Sequence, residues 1–214
     1  MDNKAMYKLT YGLFVLTSRT GECDNGCIIN TAMQVTTTPN RISITVNKAN
    51  KTHDMIKESG VFNVSMLSEE AAFDVFTHFG FRSGKDTDKF ADWPDAARSE
   101  NGVLYITKYT NAYLSGKVVQ ELDLGTHTMF IADVTDGEVL SGAESVTYSY
   151  YQSNIKPKPG QASPAPAAPA AEAPAGPSKW VCRICGYVYE GEELPEDFIC
   201  PVCKHGAIDF EKVN

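Results

Sequence analysis

The chain has 214 residues, a formal net charge of −8 and an ordinary hydrophobic fraction of 43%. That length holds one medium domain and a second small one, while the acidic balance argues against a nucleic-acid partner, which needs clustered Lys and Arg. No apolar run approaches the roughly 20 residues of a membrane span, and residues 1–10 lack the apolar core of a signal peptide, so a cytoplasmic protein is expected.

In chain order, residues 11–18 (YGLFVLTS) read as a first strand, rich in aromatic and β-branched side chains. Cys23 and Cys27 follow in a stretch of Gly, Asp and Asn. With no further ligands nearby they read as a turn cysteine and a buried strand cysteine. Residues 28–38 (IINTAMQVTTT) have strand propensity, yet Asn30, Thr31, Gln34 and Thr36 interrupt the apolar run. Such amides and hydroxyls suit either a solvent-facing strand or the polar edge of a flat heteroaromatic ligand. Pro39 and Asn40 turn the chain into an alternating strand at 42–46.

Residues 47–60 predict a helix that starts at Thr52, carries Asp54 in its first turn and stops at Gly60. Lys48, Asn50, Lys51 and Thr52 crowd its N-terminus, where N–H groups and the dipole favour a phosphate; an ordinary capped surface helix has the same look. A strand at 61–67 leads to Ser68, read as the cap of a helix over 69–79. Its Ala72, Phe73, Phe76 and Phe79 form one core-facing stripe. A polar loop at 80–94 contains Ser83-Gly84 and Asp88-Lys89-Phe90. Strands are then predicted at 103–114, 117–124, 128–134 and, after an Asp136-Gly137 turn, 138–140. His127 falls between two of them, and alone it reads as structural more readily than functional. Many antiparallel strands with two short helices indicate a mainly β chain, a barrel with helical insertions.

At residues 155–178 the composition changes: seven of the eleven prolines lie here, mixed with alanine. Such a segment builds no core and is expected to be an extended tether, on the order of 60 Å at full polyproline reach. Beyond it, WVCRICGYVYEGEELPEDFICPVCKH sets Cys182 with Cys185 and Cys200 with Cys203 in two C-x-x-C knuckles. Four thiolates make a tetrahedral set for zinc or a single iron, and the spacing leaves both open. Gly186 and Pro201 suit turns that aim backbone N–H groups at the sulfurs. Trp180, Tyr187, Tyr189, Phe198 and Phe210 read as a small core that needs the metal to fold.

The residues around those cysteines, C-x-x-C-G-Y-x-Y, then an acidic turn with Pro195, an aromatic and C-P-x-C, resemble rubredoxin. The short gap between knuckles is similar to the rubredoxin module that ends rubrerythrins. That resemblance implies a mononuclear iron held by Cys182, Cys185, Cys200 and Cys203, cycling one electron at a time, with zinc as the alternative.

Upstream, GLFVLTS, NTAMQVTTTP, VNKANKTHDMIKESGVFNVSML, DKF and GTHTMF occur in the order and spacing of the flavin reductase-like family. Its fold is an FMN-binding split β-barrel, antiparallel and Greek-key-like, usually a homodimer. The resemblance implies domains at 1–154 and 179–214 joined by the linker 155–178. It places the flavin ring along Asn30, Thr31, Ala32, Gln34, Val35 and Thr36, and the phosphate near Asn47, Asn50, Lys51 and Thr52. Ser83 and Lys89 of the polar loop join the implied cofactor set, and His127 is set near the flavin or nicotinamide.

The two domains together resemble the high-molecular-weight rubredoxins of anaerobic bacteria. That implies electron flow from NAD(P)H through FMN to iron, and on to a flavodiiron protein that reduces nitric oxide or dioxygen. Two other readings stand beside it: a flavin reductase that releases reduced FMN and ends in a zinc ribbon, and a non-catalytic FMN and iron carrier reduced by a separate reductase. Residues 179–214 hold four Lys/Arg against seven Asp/Glu, so a basic patch is expected on the acceptor.

Overall fold

The computed structural model describes residues 5, 8–157, 179–182, 188–200 and 206–213. It divides into two compact units, Met1–Ile155 and Lys156–Asn214. None of the described helices is long and apolar enough to cross a membrane.

The first unit is built on a seven-stranded sheet. Its strands are β1 (Phe14–Thr20), β2 (Cys23–Ile29), β3 (Met33–Thr37), β4 (Asn40–Asn47), β5 (Val61–Leu67), β8 (Thr110–Asp123) and β9 (His127–Val139), in the order β2-β1-β5-β8-β9-β4-β3. All neighbours are antiparallel. Five steps separate β2 from β4, which in a flat sheet is about 24 Å. Yet Cys27 and Ile29 of β2 share one buried cluster with Ile42, Ile44 and Val46 of β4, along with Leu16, Phe62, Val64, Phe130 and Ala132. The sheet therefore curls on itself, and this cluster is the inside of the barrel. Helix α1 (Lys51–Ser59) adds Ile56 to the same cluster.

The opposite face of β1 and β5 is covered by a second cluster. Leu13, Val15 and Leu67 pack there on Val75, Phe76, Phe79, Trp93, Ile106 and Tyr151. Helix α2 (Phe73–Phe76), its π-helical extension (Thr77–Phe81) and the small β6–β7 hairpin (Ala96–Arg98, Leu104–Ile106) supply this cover. Being buried on both faces, β5 carries polar residues without solvent. Asn63 donates to the Val103 carbonyl at 2.9 Å, and Ser65 accepts from the Ile106 N–H at 3.1 Å. Each such bond offsets the desolvation of a buried polar group.

Several sequence expectations are corrected. The single strand over 28–38 is two, because β2 ends at Ile29 and Asn30–Ala32 is a connection. The helix expected over 69–79 begins at Phe73: Glu69 N–H is drawn to the Glu144 carbonyl instead. The breaks expected at 115–116 and 135–137 are bulges inside continuous β8 and β9, where Ser115 pairs Asp136 and Gly116 pairs Val134. Pairing on both sides overrides the Asp-Gly turn signal. The reversal expected between 124 and 128 is found, at Leu124–Thr126, with Gly125 at φ 81°. Gly116 is needed where it stands, since a Cβ would sit 2.7 Å from Phe62 Cε2.

The second unit shows a three-stranded sheet of β10 (Lys179–Cys182), β11 (Val188–Glu190) and β12 (Phe210–Val213), in the order β11-β10-β12. Phe198 packs between Tyr189 at 4.7 Å and Phe210 at 5.3 Å between ring centroids.

Candidate functional site

Three of the expected site segments meet where β4 runs into α1. Asn47 pairs with His127 across β4 and β9. Thr31 Oγ1 donates to the Thr45 carbonyl at 2.7 Å and accepts from the Thr45 N–H at 3.2 Å, tying the Asn30–Ala32 connection to the same strand. His127 opens β9, part exposed, with Nδ1 2.8 Å from Thr126 Oγ1. Gln34, Val35 and Thr36 lie on β3, which is exposed along its whole length. Gln34 Nε2 donates to Asn40 Oδ1 at 3.0 Å and Thr36 Oγ1 to the Pro39 carbonyl at 2.5 Å, both within this hairpin.

Helix α1 begins one residue earlier than expected. Asn50 is its N-cap and makes no side-chain cap bond. The Asn47 side chain accepts from the Ala49 N–H at 2.8 Å, so it shapes the turn rather than capping the helix. The first turn therefore keeps N–H groups for an outside acceptor. The lysines divide. Lys48 is held by Asp123 at 2.7 Å, and that pairing keeps the Asp123 carboxyl below the usual range. Lys51 stands at the edge of a cleft of about 290 Å³, its Nζ 3.3 Å from Cys23 Sγ. Thr52, expected to start the helix, is fully buried instead and accepts from Asn25 Nδ2 at 2.9 Å.

The other wall of the cleft is the loop of Gly84, Lys85, Asp86, Thr87, Asp88 and Phe90. Ser83 sits exposed at its base, its carbonyl accepting from the Asp86 and Thr87 N–H groups. Lys89 is turned inward, 3% exposed, and donates to the Gly26 and Phe79 carbonyls at 2.8 Å each. It fastens the loop to β2 and α2's extension rather than presenting a charge to the cleft. Burial pulls its ammonium down to about 8, and it pushes the neighbouring Cys27 thiol up.

That depressed value has a measurable sign. The folded chain holds this proton less tightly than the unfolded chain, so the cost of the charge is full below about pH 8. It is relieved as pH rises from about 8 towards the ordinary 10.5. At about 1.4 kcal/mol per unit, stability from Lys89 rises by on the order of 3 kcal/mol across that window. Urea unfolding of the wild type against Lys89→Met measures it: the gap shifts in favour of the wild type with rising pH. A constant gap would contradict it.

Cys200 is fully buried in the second unit, and its neighbour Ile199 pairs with Gly206. Cys182 ends β10. Cys185 and Cys203 lie outside the described residues, as do Gly186, Tyr187, Pro201 and linker residues 158–178. Cys23 is exposed at the start of β2 and Cys27 is buried along it. The cleft residues Glu22 and Asp24 and the buried Asn25 were not marked by the sequence, since C-D-N-G hides a strand behind turn-forming residues.

Residues 6–158 match the family model of the flavin reductase like domain, and residues 180–211 that of the rubrerythrin, rubredoxin-like domain. The chain is 37% identical to the high molecular weight rubredoxin of Moorella thermoacetica, with 100% of both chains covered. It is 40% identical to a ferric-chelate reductase (NAD(P)H) of Archaeoglobus fulgidus over 74% of this chain and 93% of that one. Among solved structures, the NADH:FAD oxidoreductase SgcE6 of Streptomyces globisporus C-1027 shares the fold with a TM-score of 0.61 at 23% identity, covering 69% of this chain and 86% of that one.

Proposed function

The chain belongs to the flavin reductase like domain family and, like the high molecular weight rubredoxin it matches end to end, continues into a rubredoxin-like domain; from that premise we propose that it is an NAD(P)H-dependent oxidoreductase relaying electrons through FMN to a mononuclear Fe(Cys)4 centre. The electrons leave for a flavodiiron-type protein that reduces nitric oxide or dioxygen, in the cytoplasm. The observation that carries the reading is the joining of the two domains in one chain, with similarity across the whole length to a protein that joins them too.

Groups suited to a flavin phosphate are present: of the four carboxylates on the cleft, Glu22 and Asp24 are paired with Arg19 and Arg98, and Asp86 and Asp88 share the cleft with the lysines Lys51 and Lys85. An uncapped helix start and the Lys51 ammonium share the edge of one cleft. Asn47, Asn50, Lys51 and the backbone of Thr52, whose side chain is buried against Asn25, form the phosphate end of the proposed site. Asn30, Thr31, Ala32, Gln34, Val35 and Thr36 offer amides and hydroxyls to the ring edge. Ser83 and Lys89 shape the facing loop, and His127 closes the end beside Asn47. Cys182, Cys185, Cys200 and Cys203 are the proposed ligands, four thiolates suited to iron as well as zinc. When bound, FMN takes an electron pair as hydride and yields electrons singly to a one-electron iron centre. The exposed β3 edge, with Met33 65% and Val35 43% exposed, supports a homodimer, since such an edge is a liability left uncovered.

Composition of the purified chain tests the reading first. About one FMN and one iron per chain are expected, with NADH-driven nitric oxide or dioxygen consumption appearing on addition of a flavodiiron protein. Zinc in place of iron, with reduced FMN that crosses a dialysis membrane, would mark a diffusible-flavin reductase instead.

A further inference from the structure

Asn25 belongs to none of the groups assigned so far. It sits in mid-β2, 2% exposed, between the two walls of the cleft. On one side its Nδ2 donates at 2.9 Å to Oγ1 of Thr52, the second residue of α1. On the other side it lies against the loop. A Cβ added to Gly84 would come within 2.6 Å of both Asn25 Cγ and Nδ2, closer than real Cβ contacts come. Gly84 is itself buried, and it follows Ser83, whose carbonyl holds the Asp86 and Thr87 N–H groups in one turn. One amide thus touches the start of the helix and the facing loop at once.

We propose that Asn25 is a positioning residue for the phosphate end of the cofactor site, setting the first turn of α1 against the 83–88 loop. The inference rests on the reading of that site as an FMN site. Thr52 does not line the cleft; its hydroxyl is turned to β2, where it accepts from Asn25. Its part is to be held, and Asn25 holds it. The other anchors of α1, His53 with Nε2 2.9 Å from Thr128 Oγ1 on β9 and the apolar Met55 and Ile56, keep the helix on the barrel, while Asn25 ties its second residue to β2 on the side of the loop. Removing the amide frees the end of the helix while leaving its body packed. Gly84 is required for the same reason: any side chain there displaces the Asn25 amide.

The role predicts a ligand-selective effect. FMN and riboflavin share the ring and differ in the phosphate. In fluorescence titrations of the flavin-freed full-length chain, Asn25→Ala weakens FMN about tenfold, as loss of one bond to a charged ligand's support implies, and leaves riboflavin within about twofold. Gly84→Ala gives the same pattern, and the double variant is no weaker than Gly84→Ala alone, because both act on one amide. Faster amide exchange in residues 51–53 and 83–88 accompanies the loss.

Equal weakening of FMN and riboflavin would overturn the proposal, as would additive losses in the double variant. Should Asn25→Ala fail to fold, Gly84→Ala reaches the same amide from the loop side and carries the same expectation. Lys51→Met separates the two layers. If it spares FMN, the phosphate assignment itself is wrong. If it weakens FMN selectively while Asn25→Ala does not, the assignment stands and the role of Asn25 is lost.

Discussion

Cys200→Ser is expected to strip the metal, unfold the second unit and cut electron delivery to an external protein acceptor by about 100-fold or more. The Cys200 side chain is fully buried. The described rings of that unit are Tyr189, Phe198 and Phe210, packed on one another, and a part-buried Trp180, with Ile199 and Ile208 left 61% and 84% exposed. So little apolar burial does not hold a fold by itself, and in the proposed reading metal–thiolate bonds supply the rest. The first unit has its own two clusters and sheet. Its flavin should therefore still be bleached by NADH at the wild-type rate. Metal analysis, circular dichroism and anaerobic flavin reduction on one preparation check this. Retained iron with retained delivery would mean that Cys200 is no ligand.

Phe130→Ala should be the most damaging single change in the barrel, at about 3–5 kcal/mol. The ring is fully buried, lies with Ile44, Phe62 and Val64, and its centroid is 5.7 Å from that of the His53 ring on α1. It thus belongs to the cluster that joins β2, β5 and β4 across the barrel, and it lies beside the helix that carries the proposed phosphate end. A loss of that size is a large part of the 5–15 kcal/mol typical of a domain. Val139→Ala on the same strand, 76% exposed, should cost within about 0.5 kcal/mol. Chemical unfolding of the two variants measures the contrast. A Phe130→Ala cost near that of Val139→Ala would contradict a closed barrel interior.

The parts legible in the sequence were those with local causes. Ile42, Ile44 and Val46 alternate and do face the barrel interior. Gly60 ends α1 in a left-handed conformation, with its N–H on the Ile56 carbonyl. Phe76 and Phe79 are core, even though the helix bearing them is shorter and widens into a π turn. What escaped has tertiary causes. Lys89 lies in a polar loop and the resemblance sets it among the cofactor residues, yet the Gly26 and Phe79 carbonyls, both outside that loop, make its burial tolerable. Asn25 reads as a turn residue because its neighbours are Asp24 and Gly26. Asp136-Gly137 reads as a hairpin turn, yet paired neighbours on both sides keep it in the strand. The polar interruptions along 28–38 were seen, but not that the chain leaves one strand and begins another there.

In the proposed relay, electrons enter at the flavin and leave through the iron of the same chain. Anaerobic stopped-flow mixing of the full-length protein with NADH, following the flavin and iron absorption bands separately, tests it most directly. The relay predicts that the flavin bleaches first and the iron band follows at a rate independent of protein concentration. A flavin that bleaches while the iron stays oxidised would contradict it.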